Sequence, residues 1–216
     1  MTGRELNELA TQYLQDKEYD KARQTWEEAA AQGEYLAMYN LACMYYFGDG
    51  VERDEALSHA WFRKAAAAGD PEAANRVAVM LEQGIGVQAD MDEAFRWYKK
   101  SAEMKSLSGM ANLAICYLEG KGCGQDVALG LEWMEQASRK GNGVASLTLG
   151  GYYLEGRYCP QDYDKARECF ERGMKQKYAP AIEQLARLYE QGLGVPQDAK
   201  KAAELYELAE NTPDED

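Results

Sequence analysis

The 216 residues include 24 basic and 37 acidic side chains, and the formal charge of -13 opposes nucleic-acid backbones and anionic membranes while suiting a basic or neutral protein partner. No basic segment followed by an apolar one opens the chain, and no run approaches the roughly 18 apolar residues of a membrane span, so a cytoplasmic protein is expected. The five cysteines, Cys43, Cys116, Cys123, Cys159 and Cys169, are odd in number and unevenly spaced, which reads as reduced thiols and not as a disulfide framework.

Residues 1–34 begin with two short helical patterns, Leu9, Ala10 and Tyr13, then Tyr19, Ala22, Trp26, Ala29 and Ala30. The link between them is short and has no glycine pair, so they read as a divergent opening pair that caps the helices after it. Helical spacing returns over 36–47 with Ala37, Leu41, Ala42 and Tyr45 on one face, and Gly48 follows the last turn, where a left-handed cap is cheapest for a residue without a β-carbon. Asp54 then precedes a second helix, placed to accept the unpaired N–H groups of its first turn. From here the chain repeats. Gly48, Gly84, Gly120, Gly156 and Gly192 are each 36 residues apart, as are Asp54, Asp90, Asp126, Asp162 and Asp198. A fixed period in this range marks stacked units that bury their apolar faces only against neighbours. The units span 35–70, 71–106, 107–142, 143–178 and 179–212, followed by an acidic tail over 213–216.

Second helices are expected over 54–68, 90–104, 126–140, 162–176 and 198–210. Their stripes, such as Trp61, Phe62 and Ala65 or Trp97, Tyr98 and Ala102, set large aromatics against alanines and read as core. Cys123 and Cys159 replace the valine of Val51, Val87 and Val195 and read as small apolar substitutes.

The composite unit runs Ala37-x-x-x-Leu41-Ala42-x-x-Tyr45-x-x-Gly48-x-Gly50-Val51-x-x-Asp54, then Trp61-Phe62-x-Lys64-Ala65-Ala66-x-x-Gly69. It closely resembles the Sel-1-like repeat, a relative of the tetratricopeptide repeat, over five units. The resemblance implies an all-α fold, a right-handed α/α superhelical solenoid of about six helix pairs and 12 helices, and a role as a protein–protein interaction scaffold or adaptor. It does not transfer a partner. A cysteine-rich branch of the family is linked with penicillin binding and β-lactamase activity, but this chain lacks the S-x-x-K and K-T-G motifs and that branch's paired cysteines.

Departures from the unit carry local expectations. Tyr158 stands in the register of Gly50, so its loop is expected to take a different turn. Lys105 and Lys177 replace Gly69 and Gly141, which predicts other helix C-caps. Gly150, in the register of Ala42, Ala78, Ala114 and Ala186, predicts close helix packing.

In a tetratricopeptide-like register, one stripe of each first helix lines a concave wall. The candidate partner-binding residues there are Tyr39, Tyr46, Phe47, Asn75, Val79, Glu82, Ile115, Leu118, Glu119, Leu147, Leu154 and Glu155. They combine an aromatic cluster, an apolar track that Val144 joins, and an acidic edge that Glu190 continues. A peptide with apolar anchors and Lys or Arg residues suits both. The plainer alternative is that the aromatics pack on the opening pair and the glutamates form a solvated rim.

Groups for catalysis are scarce. His59 is the single histidine and, with Glu55 one turn before it, reads as a surface ion pair. The recurring aspartates read as caps. Cys116 and Cys123 supply only two sulfurs, too few for a zinc site. Neither catalytic residues nor a cofactor nor a metal is expected, and nucleic acid and membrane are not expected partners. A second class of function is self-association, a weak homodimer through an uncovered face of the last helix formed by Ala202, Leu205, Tyr206 and Ala209.

Overall fold

The computed structural model describes residues 1–213; Asp214, Glu215 and Asp216 of the acidic tail lie outside the described residues. Among the described residues there are twelve helices and no strand: α1 Gly3–Gln15, α2 Tyr19–Ala31, α3 Tyr35–Phe47, α4 Glu55–Ala67, α5 Pro71–Gln83, α6 Met91–Glu103, α7 Leu107–Glu119, α8 Val127–Lys140, α9 Gly143–Glu155, α10 Tyr163–Lys175, α11 Ala179–Gln191 and α12 Ala199–Glu210. They form an all-α helical repeat solenoid.

The five recurring aspartates start five of these helices. Asp54 accepts from the Leu57 N–H at 2.8 Å, and Asp90, Asp126, Asp162 and Asp198 repeat the bond to Glu93, Leu129, Lys165 and Lys201 at 2.8 to 3.0 Å. Each satisfies an N–H that its helix leaves unpaired. The Lys165 N–H bond, as the leading cause, holds the Asp162 carboxyl below the usual range. At the other end of the first helices, Gly48, Gly84, Gly156 and Gly192 close α3, α5, α9 and α11 in the left-handed region.

The chain divides into two units, Met1–Gly109 and Met110–Asp216. In the first, α1 and α2 pair, as do α3 with α4 and α5 with α6. Trp26, Leu41 and Met44 are buried there with Ala10, Ala22 and Ala37, so that alanines let the helix axes approach and the large side chains fill the remaining space. The opening pair is also tied by polar groups: Asn7 Oδ1 accepts from Trp26 Nε1 and from Asn40 Nδ2, both at 3.0 Å. In the second unit, α9 pairs with α10 and α11 with α12, around Phe170, Ile182, Leu185, Leu188 and Leu205. A Cβ at Gly150 would meet the Phe170 ring, which is the close packing its register predicts.

Other expectations are overturned. Tyr158 has φ 64, in the same left-handed region as Gly50 at φ 68 and Gly194 at φ 67, so the loop keeps its turn although the residue has changed. Lys105 and Lys177, at φ 73 and 56, likewise stay in the left-handed region of Gly69 and Gly141. The stack imposes these conformations on residues that do not prefer them. On the last helix, the face expected to be uncovered is largely covered. Ala202, Leu205 and Ala209 are only 3, 3 and 6% exposed, because the inner side of α12 packs on α11. Trp61, Trp97 and Trp133, read as core, are only half-buried. Lys64 Nζ lies 3.8 Å above the Trp61 ring, and Lys100 Nζ lies 4.7 Å from that of Trp97.

The second glycine of the loop has a reason beyond its turn. A Cβ on Gly50 would collide with Tyr19, one on Gly86 with Glu55, and one on Gly194 with Tyr163. Those three residues each open the second helix of the preceding repeat. The loop of one repeat is therefore seated on the helix start of the one before.

Candidate protein-binding site

Of the candidate residues, the unit Met1–Gly109 brings one set together on α3 and α5. Tyr46 and Phe47, on the last turn of α3, meet edge to face with centroids 5.1 Å apart, and Arg53 lies 5.6 Å from the Tyr46 ring. Phe47 is 68% exposed, an unusual position for a phenylalanine that its own helix pair does not cover. The two rings border a cleft of about 50 Å³ lined also by Cys43, Phe62, Arg76, Val79, Met80 and Ile85. Tyr39 stands behind it, edge to face with Phe62 at 5.2 Å between ring centroids. Burial pushes the Cys43 thiol up, so it stays neutral.

Two candidates leave the surface. Asn75 is only 7% exposed and Leu118 is fully buried, so neither lines a wall. The burial of Leu118 follows from Gly130 on α8, where a Cβ would lie 2.7 Å from Leu118 Cγ; the glycine leaves room for the leucine. Ile115, Leu147 and Leu154 are half-buried, and Leu147 and Leu154 pack on the Phe170 core.

The acidic edge is largely engaged within the chain. Glu82 accepts from the Tyr98 hydroxyl at 2.6 Å and Glu190 from the Tyr206 hydroxyl at 3.1 Å. Glu119 pairs with Lys121 at 2.9 Å and with Arg157 at 3.8 Å. Glu155 is exposed. A pattern in the sequence explains the first two. Along the register 82, 118, 154, 190 the chain has Glu, Leu, Leu, Glu, and 16 residues later it has Tyr98, Met134, Phe170 and Tyr206. A carboxylate occurs where the second helix offers a hydroxyl, and a leucine where it does not.

Arg76 is the residue that sequence reasoning missed. Its register is otherwise Asn40, Asn112, Thr148 and Gln184, all uncharged, so the same 36-residue stepping contains the signal.

His59 does not form the expected surface ion pair. It is 8% exposed, its Nε2 has no hydrogen-bond partner, and Glu55 pairs with Arg53 instead. Burial, then the nearby Arg63 guanidinium, lowers its pKa, and Glu93 opposes that shift. A buried neutral imidazole on α4 has no access to a substrate. Burial also raises the Cys169 thiol, to about 11, despite the Arg172 guanidinium 3.1 Å away, so it stays protonated. The described residues contain no group of three His, Cys, Asp or Glu side chains placed to hold a metal ion. No described helix is long and apolar enough to cross a membrane.

The family model described as Sel1 repeat matches residues 36–70, 71–106, 107–142, 145–178 and 179–211. Among solved structures, a Sel1 repeat protein from Oxalobacter formigenes is 27% identical over 96% of this chain and 85% of its own, with TM-score 0.84. The protein c5321, a protective antigen of uropathogenic Escherichia coli with an SLR fold, is 29% identical over 96% of this chain, with TM-score 0.83; this chain spans 45% of its length. The immunity protein Pa5087 from Pseudomonas aeruginosa, at 21% identity, 93% and 81% coverage and TM-score 0.63, shares the fold. No curated protein matches the chain.

Proposed function

The chain belongs to the Sel1 repeat family, and from that premise we propose that it is a non-enzymatic protein-interaction scaffold which takes up a peptide segment of a partner on the α3 and α5 face. Sel1 repeats generally serve as protein-interaction scaffolds. The observation that carries the reading is Phe47, 68% exposed at the mouth of an apolar cleft whose other walls are fixed by packing. Exposed aromatics beside a preformed apolar pocket are the anchors around which peptide recognition concentrates its affinity. Tyr46 and Val79 extend the contact, while Tyr39 supports it from behind. In the second unit, Glu119, Ile115, Leu147, Leu154 and Glu155 offer a further, less open surface of the same kind.

Capture of partners from native lysate by the full chain and by a Tyr46→Ala, Phe47→Ala variant tests the reading. Both residues sit at the end of α3, and neither belongs to the buried core, so the variant is expected to fold and to lose the captured protein. Unchanged capture by a folded variant would place the site elsewhere.

A further inference from the structure

Arg76 sets a chemical condition on whatever enters the cleft. Its guanidinium lines the cleft and presents donors in a planar fork that matches a carboxylate. Among the described residues no carboxylate lies within ion-pair distance of it; Glu72, one turn earlier on α5, acts only through its charge. The rest of the cleft is apolar apart from Cys43 and the Tyr46 hydroxyl. Its room of about 50 Å³ suits a short aliphatic side chain better than an aromatic ring.

An occupant must therefore deliver an aliphatic group and an anion to nearly the same place. An internal aliphatic residue next to Asp or Glu does this badly. In an extended peptide the nearest side chain on the same face is two residues, about 6.6 Å, away, and on a helix it lies a turn away at about 5–6 Å. A C-terminal residue carries both groups on one Cα. Resting on the scaffold reading above, we infer that the cleft between α3 and α5 binds the C-terminus of a partner protein, with a short aliphatic last side chain against Val79, Met80 and Ile85 and its α-carboxylate on Arg76. Phe47 then covers the preceding residues. The overall charge of -13 favours Lys or Arg further upstream in the same tail.

The test uses a fluorescein-labelled octapeptide library with Lys-rich upstream positions and C-terminal Val, synthesised once as the free acid and once as the amide, and titrated against the full chain by fluorescence anisotropy. The acid is expected to bind about tenfold or more tighter than the amide, as loss of a charge-assisted contact implies. Arg76→Met is expected to bring the acid down to the amide's level with an unchanged thermal melt. Equal binding of acid and amide, weakened in both by Phe47→Ala, overturns the carboxylate inference and leaves the scaffold reading intact. Binding indifferent to both Arg76→Met and Phe47→Ala overturns the inference and removes this wall as the scaffold's site. Failure of the acid library to bind the wild-type chain overturns the inference as well.

Discussion

Replacing Tyr98 by Phe and Glu82 by Leu, singly and together, recreates in the second repeat the combination that the chain itself uses at Phe170 and Leu154. The hydroxyl-to-carboxylate bond is 2.6 Å and partly buried, with Tyr98 only 2% exposed. Hydrogen bonds to charged groups contribute about 1.5–3 kcal/mol, and because Glu82 is half-exposed and regains water, a value near 1.5 kcal/mol is expected for Tyr98→Phe. Glu82→Leu should cost a similar amount, since it takes the carboxylate away from a buried hydroxyl. The double variant should cost no more than either single, about 1.5 kcal/mol, which gives a coupling of about 1.5 kcal/mol. The same cycle at Tyr206 and Glu190, where the bond is 3.1 Å and exposed, should give less than about 0.5 kcal/mol. Urea denaturation followed by circular dichroism measures both. Coupling within about 0.3 kcal/mol of zero at Tyr98 and Glu82 would show that the two residues act independently and would refute the pairing.

Three further outcomes are expected. His59 is held neutral in the fold, so between its folded pKa and the ordinary 6.5 the unfolded chain binds more protons; stability should fall as pH drops from 7.5 through 6.5 and level off below the folded value. His59→Leu, the residue found at Leu131 in that register, should flatten this part of the urea-midpoint profile, and a profile that keeps its slope would refute the assignment. Lys177→Gly should stabilise the chain by about 0.5–1 kcal/mol, because glycine removes the strain of a left-handed φ at the end of α10, and a lowered melting temperature would count against it. Asp126→Ala should cost about 1 kcal/mol through loss of the 3.0 Å cap bond to Leu129, seen as a lower urea midpoint, while Asp126→Asn should keep most of it.

The helices and their caps are legible in the sequence because the forces that set them are local. Asp54 and its four counterparts announce each second helix, and Gly48 and its counterparts announce the end of each first one. The turn at Tyr158 and the C-caps at Lys105 and Lys177 are not legible, for the opposite reason. Residue preference points away from the left-handed region there, and tertiary packing outweighs a preference of about 1–2 kcal/mol. On the wall, stepping by 36 residues finds Tyr46, Phe47 and Val79, which do line the cleft. It also collects Leu118, whose burial depends on the absence of a side chain at Gly130, a fact carried by another helix. Arg76 escapes a search for aromatic and acidic positions, although its register shows a lone charge among neutral side chains.

The seating of each loop on the preceding helix start also governs how such a chain can change in length. The partners are Gly50 with Tyr19, Gly86 with Glu55 and Gly194 with Tyr163, and the interval within each pair is the same, 31 residues. A small insertion or deletion inside that interval pulls the glycine off its seat and puts a bulkier residue there. Addition or loss of a whole 36-residue segment leaves every remaining joint with its proper partner. Length is thus a quantised variable for this architecture, and duplication of complete repeats is the route by which it can lengthen without rebuilding any contact it already has.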